Sequence, residues 1–138
     1  MKILAALDLS SKAPAVLEKA VAMAKQDGAE LILLSVSEDF SDIGDFTESG
    51  SIREKLLAQT RKTVEDAVSQ AKAQGANARG VAESGVSPAD IIVAYAQENH
   101  IDTIVMGNRS KTGFERFLIG SVASKVVAHA PCSVLVIR

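Results

Sequence analysis

The stretch MGNRSKTGFERFLIGSVAS, residues 106–124, carries small residues at fixed spacing, namely Gly107, Ser110, Gly120 and Ser121. Glycine has no Cβ, so it lets backbone N–H groups approach an anion closely, above all where a helix begins. Arg109, Lys111 and Arg116 add positive charge, and a helix that starts near Ser121 adds its dipole and a hydroxyl. This combination favours phosphate as a ligand. The spacing alone fits equally well a glycine that ends a strand and another that opens a helix.

Strands and helices must position these residues, and the apolar pattern predicts both. Five short apolar runs are typical of strands in a buried sheet: residues 2–8, 30–36, 77–82, 101–107 and 133–138. Four segments between them have helical periodicity. The clearest helix start is SPADIIVAYA, in which Ser87 caps, Pro88 takes the first helical position and Asp90 can close a capping box. Strands alternating with helices over short links predict an α/β domain with a mostly parallel sheet.

Composition restricts the class of protein. The 138 residues are 47% hydrophobic and 23% charged, which predicts one domain over residues 1–138. No apolar run reaches the roughly 18 residues of a membrane span, so we expect a cytoplasmic protein without a membrane partner. A formal charge of −2 without a basic stripe argues against nucleic acid as a partner. The single cysteine, Cys132, excludes an internal disulfide and a multi-cysteine metal site.

The common catalytic motifs are absent from the chain. There is no dinucleotide fingerprint after the first strand, no P-loop, no nucleophile elbow and no zinc-binding H-E-x-x-H. His100 and His129 lie near predicted helix ends, where a structural role is favoured. The connection between Ser37 and Ser51, with five acids and no base, is predicted to be a long solvated loop or a lid. We therefore expect no catalytic residues and no enzymatic activity beyond incidental slow hydrolysis.

The whole chain resembles the universal stress protein family, whose nucleotide-binding branch carries G-x2-G-x9-G-[ST] between the fourth strand and the fourth helix. Here the motif reads G-x2-S-x9-G-S, and the resemblance extends over LDLS, GVSPADIIVAYA and HAPCSVLVIR. It implies a three-layer α/β fold, in which helices cover both faces of an open parallel sheet of five strands in the order 3-2-1-4-5. It also implies ATP, with or without Mg²⁺, across the ends of strands one, two and four.

Site residues follow from the resemblance by position. Adenosine would lie against Ala6, Leu7 and Asp8, with the Val36 backbone at the adenine edge and Met106 and Gly107 along the ribose. Phosphates would lie at Ser110, Gly120, Ser121 and Val122. Independently of the resemblance, its positive charge makes Arg109 a further candidate site residue. Asp8 is also open to a capping role. Ser110 stands where the family has glycine: a left-handed backbone there would cost about 1 to 2 kcal/mol, whereas at negative φ its hydroxyl can donate to phosphate.

Three functions fit a domain of this class. The first is an ATP-binding regulatory protein, in which nucleotide binding biases the conformation or partner interactions of a homodimer. The second is a nucleotide-free dimeric interaction module of the same fold. The third, a phosphoacceptor receiver domain, lacks the paired acids and the lysine that it needs. The dimer is expected through the last strand, from Ser133 to Arg138, because in the implied order it is an apolar sheet edge without proline or lysine.

Overall fold

The computed structural model describes residues 1–8, 13–38, 48–108 and 119–138. Within these ranges five strands alternate with four helices. The strands are β1 (Lys2–Leu7), β2 (Glu30–Glu38), β3 (Asn77–Gly85), β4 (Thr103–Gly107) and β5 (Ser133–Ile137). The helices are α1 (Ala13–Asp27), α2 (Glu48–Ala73), α3 (Pro88–Glu98) and α4 (Ser121–His129). None of the helices in these ranges is long and apolar enough to cross a membrane.

All strand pairs of the sheet are parallel, and the strand order is β3-β2-β1-β4-β5. The fold class and the strand order implied by the resemblance are therefore confirmed. β1 pairs with β2 on one side and with β4 on the other, so the winding of the chain reverses at β1. In open α/β sheets, ligands bind outside the carboxyl ends of the strands at such a reversal.

The sheet separates two apolar cores. Along β1, Ile3 and Ala5 pack with residues of α1 and α2, while Leu4 packs with residues of α3 and α4. Successive side chains of a strand point to opposite faces, and here both faces are covered, which explains the nearly continuous apolar sequence of the central strands. The result is the predicted three-layer arrangement, with α3 and α4 on the same face of the sheet.

Gly80 lies where α2 packs closely on β3. A Cβ at this position would collide with Val64 Cγ1 and would lie 2.9 Å from Val68 Cγ2. Both valines belong to α2, and Val64 is only 4% exposed. The lack of a side chain at residue 80 therefore sets the distance between helix and strand.

Three helices end in the same backbone motif. A residue with a left-handed backbone follows each helix: Gly28 directly after α1 (φ 63°), and Gly75 (φ 91°) and His100 (φ 54°) two residues after the ends of α2 and α3. The next N–H then donates to a carbonyl five residues back, in the pairs Ala29 with Ala24 (2.9 Å), Ala76 with Ala71 (3.0 Å) and Ile101 with Ala96 (3.0 Å). This is a Schellman motif, which favours glycine at the left-handed position. His100 thus ends a helix, as predicted, but in a conformation that suits glycine better.

The acidic connection is shorter than the sequence predicts. β2 continues through Ser37 and Glu38, because these residues pair with Ser84 and Gly85 of β3, which itself runs past the predicted end at residue 82. α2 begins at Glu48, so the predicted loop between Ser37 and Ser51 is wrong at both ends. Residues 39–47, with the other acids of this segment, lie outside the described residues.

Candidate functional site

The carboxyl ends of β1, β2 and β4 bring several predicted residues together. Ala6 of β1 lies beside Leu34 of β2 on one side and Met106 of β4 on the other. Ala6, Met106 and Val36 all pack on the face of the sheet that α3 and α4 cover. These residues therefore form a shared apolar surface at the point where the winding reverses.

Leu7 and Asp8 occupy different environments. The Leu7 side chain is 5% exposed and belongs to the core beneath α1 and α2, on the opposite face of the sheet. Only its backbone remains for a ligand on the α3 and α4 face. Asp8 is half-buried and follows β1 directly, at the edge of the sheet where the other strands also end.

The N-terminus of α4 is built around Gly120. This residue is the N-cap, with φ −64° and ψ 160°, an extended conformation that any residue adopts. Its carbonyl accepts from the N–H of Ser124 at 2.8 Å, and its own N–H donates to Asn108 Oδ1 at 2.6 Å. The N–H groups of Ser121 and Val122, in the first turn, have no acceptor within the helix. An anion at this end would therefore meet Ser121 and Val122 before Gly120.

A cleft of about 240 Å³ opens between the N-termini of α3 and α4, and we call it the α3–α4 cleft. Its lining within the described ranges consists of Glu38, Val86, Ser87, Pro88, Ala89, Ser121, Val122 and Lys125. Val86 is 72% exposed, an unusual exposure for a large apolar side chain. The lining thus combines apolar groups with hydroxyls, one cation and one carboxylate. Small-molecule sites typically have this composition, although their volumes usually start at about 300 Å³.

An ion pair joins the two helices at this cleft. Lys125 Nζ lies 2.9 Å from Asp90 Oδ1 and donates to Ser87 Oγ at 3.4 Å. The Lys125 hydrogen bond, and then the one with Ser87, hold the pKa of Asp90 below its ordinary value. Ser87 Oγ also accepts from the backbone N–H of Asp90 at 3.4 Å, so Ser87 caps α3 as predicted. Because both charged side chains are well exposed, the pair is weak and Lys125 can move to another anion at little cost.

The predicted residues divide into three groups. Ser121 and Val122 line the α3–α4 cleft, while Gly120 supports the start of α4 from a buried position. Ala6, Leu7, Val36, Met106 and Gly107 lie at the carboxyl ends of the central strands, and Asp8 follows β1 directly. Arg109 and Ser110 lie outside the described residues, as do Lys111 and Arg116.

Three residues that the sequence reasoning missed as site residues are Asn108, Lys125 and Ser87. Ser87 was recognised only as a helix cap, although the N-terminus of α3 must lie at the same sheet edge as the end of β3. Lys125 follows Ser121 by four residues and therefore shares its helix face, which is a signal that sequence alone provides. Asn108 occupies a variable position of the glycine motif, and nothing in the sequence singles it out.

Comparison with known proteins identifies close counterparts of this fold. Residues 1–138 match the sequence model of the universal stress protein family. Universal stress protein YxiE of Bacillus subtilis (strain 168) is 30% identical over 99% of this chain and 98% of its own length. The structure of universal stress protein UspA from Lactobacillus plantarum superimposes with a TM-score of 0.88 at 29% identity, covering 100% of this chain and 97% of that one. The universal stress protein from Archaeoglobus fulgidus, solved in complex with dAMP, has a TM-score of 0.69 at 26% identity and covers 100% of this chain and 98% of that one.

Proposed function

The chain belongs to the universal stress protein family, and on that premise we propose that it binds ATP, with or without Mg²⁺, as a regulatory ligand. The observation that carries this proposal is the position of α4: its N-terminus faces the α3–α4 cleft, at the edge of the sheet where β1, β2 and β4 end. A helix N-terminus with available N–H groups favours a phosphate, and a strand reversal favours a nucleotide.

The charges along the α3–α4 cleft suggest an orientation for the ligand. Phosphates are favoured beside Ser121 and Lys125, where N–H groups, a hydroxyl and a cation are close together. Glu38 disfavours phosphate at its own end of the cleft, but a carboxylate accepts hydrogen bonds from sugar hydroxyls or an amine. Val86 and Pro88 add apolar surface to the lining of the cleft. The lining therefore suits a molecule that combines an apolar surface with an anionic group.

The dAMP complex of the Archaeoglobus fulgidus protein supports a nucleotide as the class of ligand. ATP is the finer proposal, and it comes from the resemblance to the nucleotide-binding branch of the family. We take binding, and not turnover, as the output, with incidental hydrolysis at most, and we place the protein in the cytoplasm. Binding would bias the conformation or partner interactions of a homodimer.

Calorimetric titration with ATP, with and without Mg²⁺, tests the proposal. We expect saturable micromolar binding by the wild type. Ser121→Asp places a negative charge at the exposed first residue of α4, so it should weaken ATP binding by about tenfold or more. The matched control is Ser69→Asp, which adds the same charge at an exposed position of α2, on the opposite face of the sheet, and should leave the affinity unchanged.

Ser110→Gly tests the departure from the family motif. If residue 110 has a left-handed backbone, the glycine should tighten ATP binding by roughly tenfold. Absence of saturable binding in both the wild type and Ser110→Gly would contradict the proposal and favour the nucleotide-free interaction module. Phosphate release, followed in the same samples, should stay at the level of the buffer control or only slightly above it.

The homodimer is proposed through β5, at one edge of the sheet. Its residues from Val134 to Ile137 are only half-buried, whereas Leu31 to Leu34 of the interior strand β2 are completely buried. An apolar edge strand favours pairing with a second copy of the chain. Light scattering at micromolar concentration should give the mass of a dimer, and a monomer at every concentration would contradict this part of the proposal.

A further inference from the structure

Asn108 connects three elements at the end of the sheet. It follows β4 and is 7% exposed. Its Oδ1 accepts from the backbone N–H of Gly120 at 2.6 Å, and its own backbone N–H donates to the carbonyl of Ile137 in β5 at 2.7 Å. The side-chain bond spans 12 residues of sequence. Asn108 therefore holds the start of α4 against the ends of β4 and β5.

The helices α3 and α4 begin in different ways. Ser87 caps α3 with its own side chain, and Asp90 in the first turn places a negative charge near the positive end of the helix dipole. α4 has neither feature, because its N-cap is glycine and its first turn contains no acid. The cap of α4 is supplied from a distance by the neutral amide of Asn108. The positive end of α4 is thus supported without a negative charge on the supporting group.

An aspartate at residue 108 could make the same connection to Gly120. It has the same shape and an acceptor oxygen, hydrogen bonds to a carboxylate are stronger than those to an amide, and a negative charge near a helix N-terminus is favourable. These gains are opposed by the cost of burying a carboxylate at a position that is 7% exposed. The same charge would repel an anionic ligand at Ser121 and Val122.

We propose that Asn108 is a positioning residue that holds the N-terminus of α4 in place while leaving its positive potential available, so that the site favours nucleotides with phosphates over nucleosides. This inference rests on the proposed function, in which the phosphates lie at Ser121 and Val122. The inference adds Asn108 as the residue through which the site distinguishes charged nucleotides from uncharged nucleosides. The neutral carboxamide keeps a negative charge away from this helix terminus, whereas an acid of the same shape would place one there.

The test is Asn108→Asp, with affinities for adenosine, AMP and ATP measured by calorimetry at constant ionic strength. We expect adenosine affinity within about twofold of wild type, and ATP affinity reduced by about tenfold or more, with AMP in between. Thermal unfolding checks that the variant remains folded at the temperature of the titrations. Ser69→Asp serves again as the control for net charge.

The outcomes separate this inference from the proposed function. Equal weakening of adenosine and ATP would mean that Asn108 only maintains the local structure, and an unchanged ATP affinity would mean that its charge is irrelevant; either overturns the inference alone. Failure of Asn108→Asp to fold overturns it too, because the inference requires that an acid be tolerated there. A wild type that binds none of the three ligands overturns the proposed function, and the inference with it.

Discussion

His100→Gly should make the protein more stable. His100 has φ 54° at the end of α3, where the corresponding positions after α1 and α2 are Gly28 and Gly75. A side chain in the left-handed region crowds its own backbone, and glycine removes that conflict. The three helix ends share one hydrogen-bonding pattern, so the two glycines show what residue 100 lacks.

The magnitude follows from two opposing terms. Left-handed backbone costs an ordinary residue about 1 to 2 kcal/mol, and histidine, which adopts this region more often than most, belongs at the lower end. Glycine also gains freedom in the unfolded chain, which offsets about 0.5 kcal/mol. The net gain for His100→Gly is therefore roughly 0.5 to 1 kcal/mol in the free energy of unfolding. For a domain of this size it corresponds to an increase in Tm of about 2 to 4 °C.

Urea unfolding, followed by circular dichroism at one fixed protein concentration, measures this change. Gly28→Ala is the reverse experiment, because a Cβ at residue 28 meets no atom within 4 Å and only the backbone cost remains. It should destabilise the protein by about 1 kcal/mol. The reasoning is refuted if Gly28→Ala destabilises as expected while His100→Gly leaves stability unchanged or lowers it. The His100 side chain would then make contacts worth as much as the strain.

Two further predictions concern packing and charge. Gly80→Ala should destabilise the protein by about 1 to 3 kcal/mol because its Cβ would collide with Val64. Urea unfolding should show that Val64→Ala in the same chain restores part of the lost stability. If the two substitutions change the free energy of unfolding additively, the collision is not the cause. Lys125→Met should raise the pKa of Asp90 towards its ordinary value, measured by NMR titration of the carboxyl carbon, and an unchanged pKa would contradict the ion pair. Because the Asp90 pKa is lowered in the folded protein, the contribution of the pair is complete above the ordinary value of about 3.9 and is lost as the pH falls through the lowered pKa.

The elements of the fold were predictable because burial has a simple signature in sequence. β1, β2 and β4 are covered on both faces, so they read as unbroken apolar runs, and Ser87 with Pro88 marks the start of α3 unambiguously. The limits of the acidic segment were not predictable. Ser37 and Glu38 belong to β2 because their backbones pair with β3. Backbone pairing does not require a particular side-chain type, so the hydrophobic pattern of the sequence does not show where β2 ends.

The site was predictable only where a motif exists. Ser121 and Val122 belong to the glycine motif and line the α3–α4 cleft. Asn108 and Lys125 act through contacts with residues distant in sequence, among them Gly120 for Asn108 and Asp90 for Lys125. Such contacts depend on how α3 and α4 are arranged over the sheet, and local periodicity contains no information about that arrangement.

The bond between Asn108 and Gly120 joins the two ends of residues 109–119. Both ends of that segment are anchored by groups that do not belong to it, since Asn108 is fixed to β5 and Gly120 to the first turn of α4. The entropy of closing such a ring changes only slowly with its length. The eleven residues between Asn108 and Gly120 can therefore be shortened, lengthened or exchanged without altering the frame at either end, as in the exchange of an antibody loop on a constant scaffold.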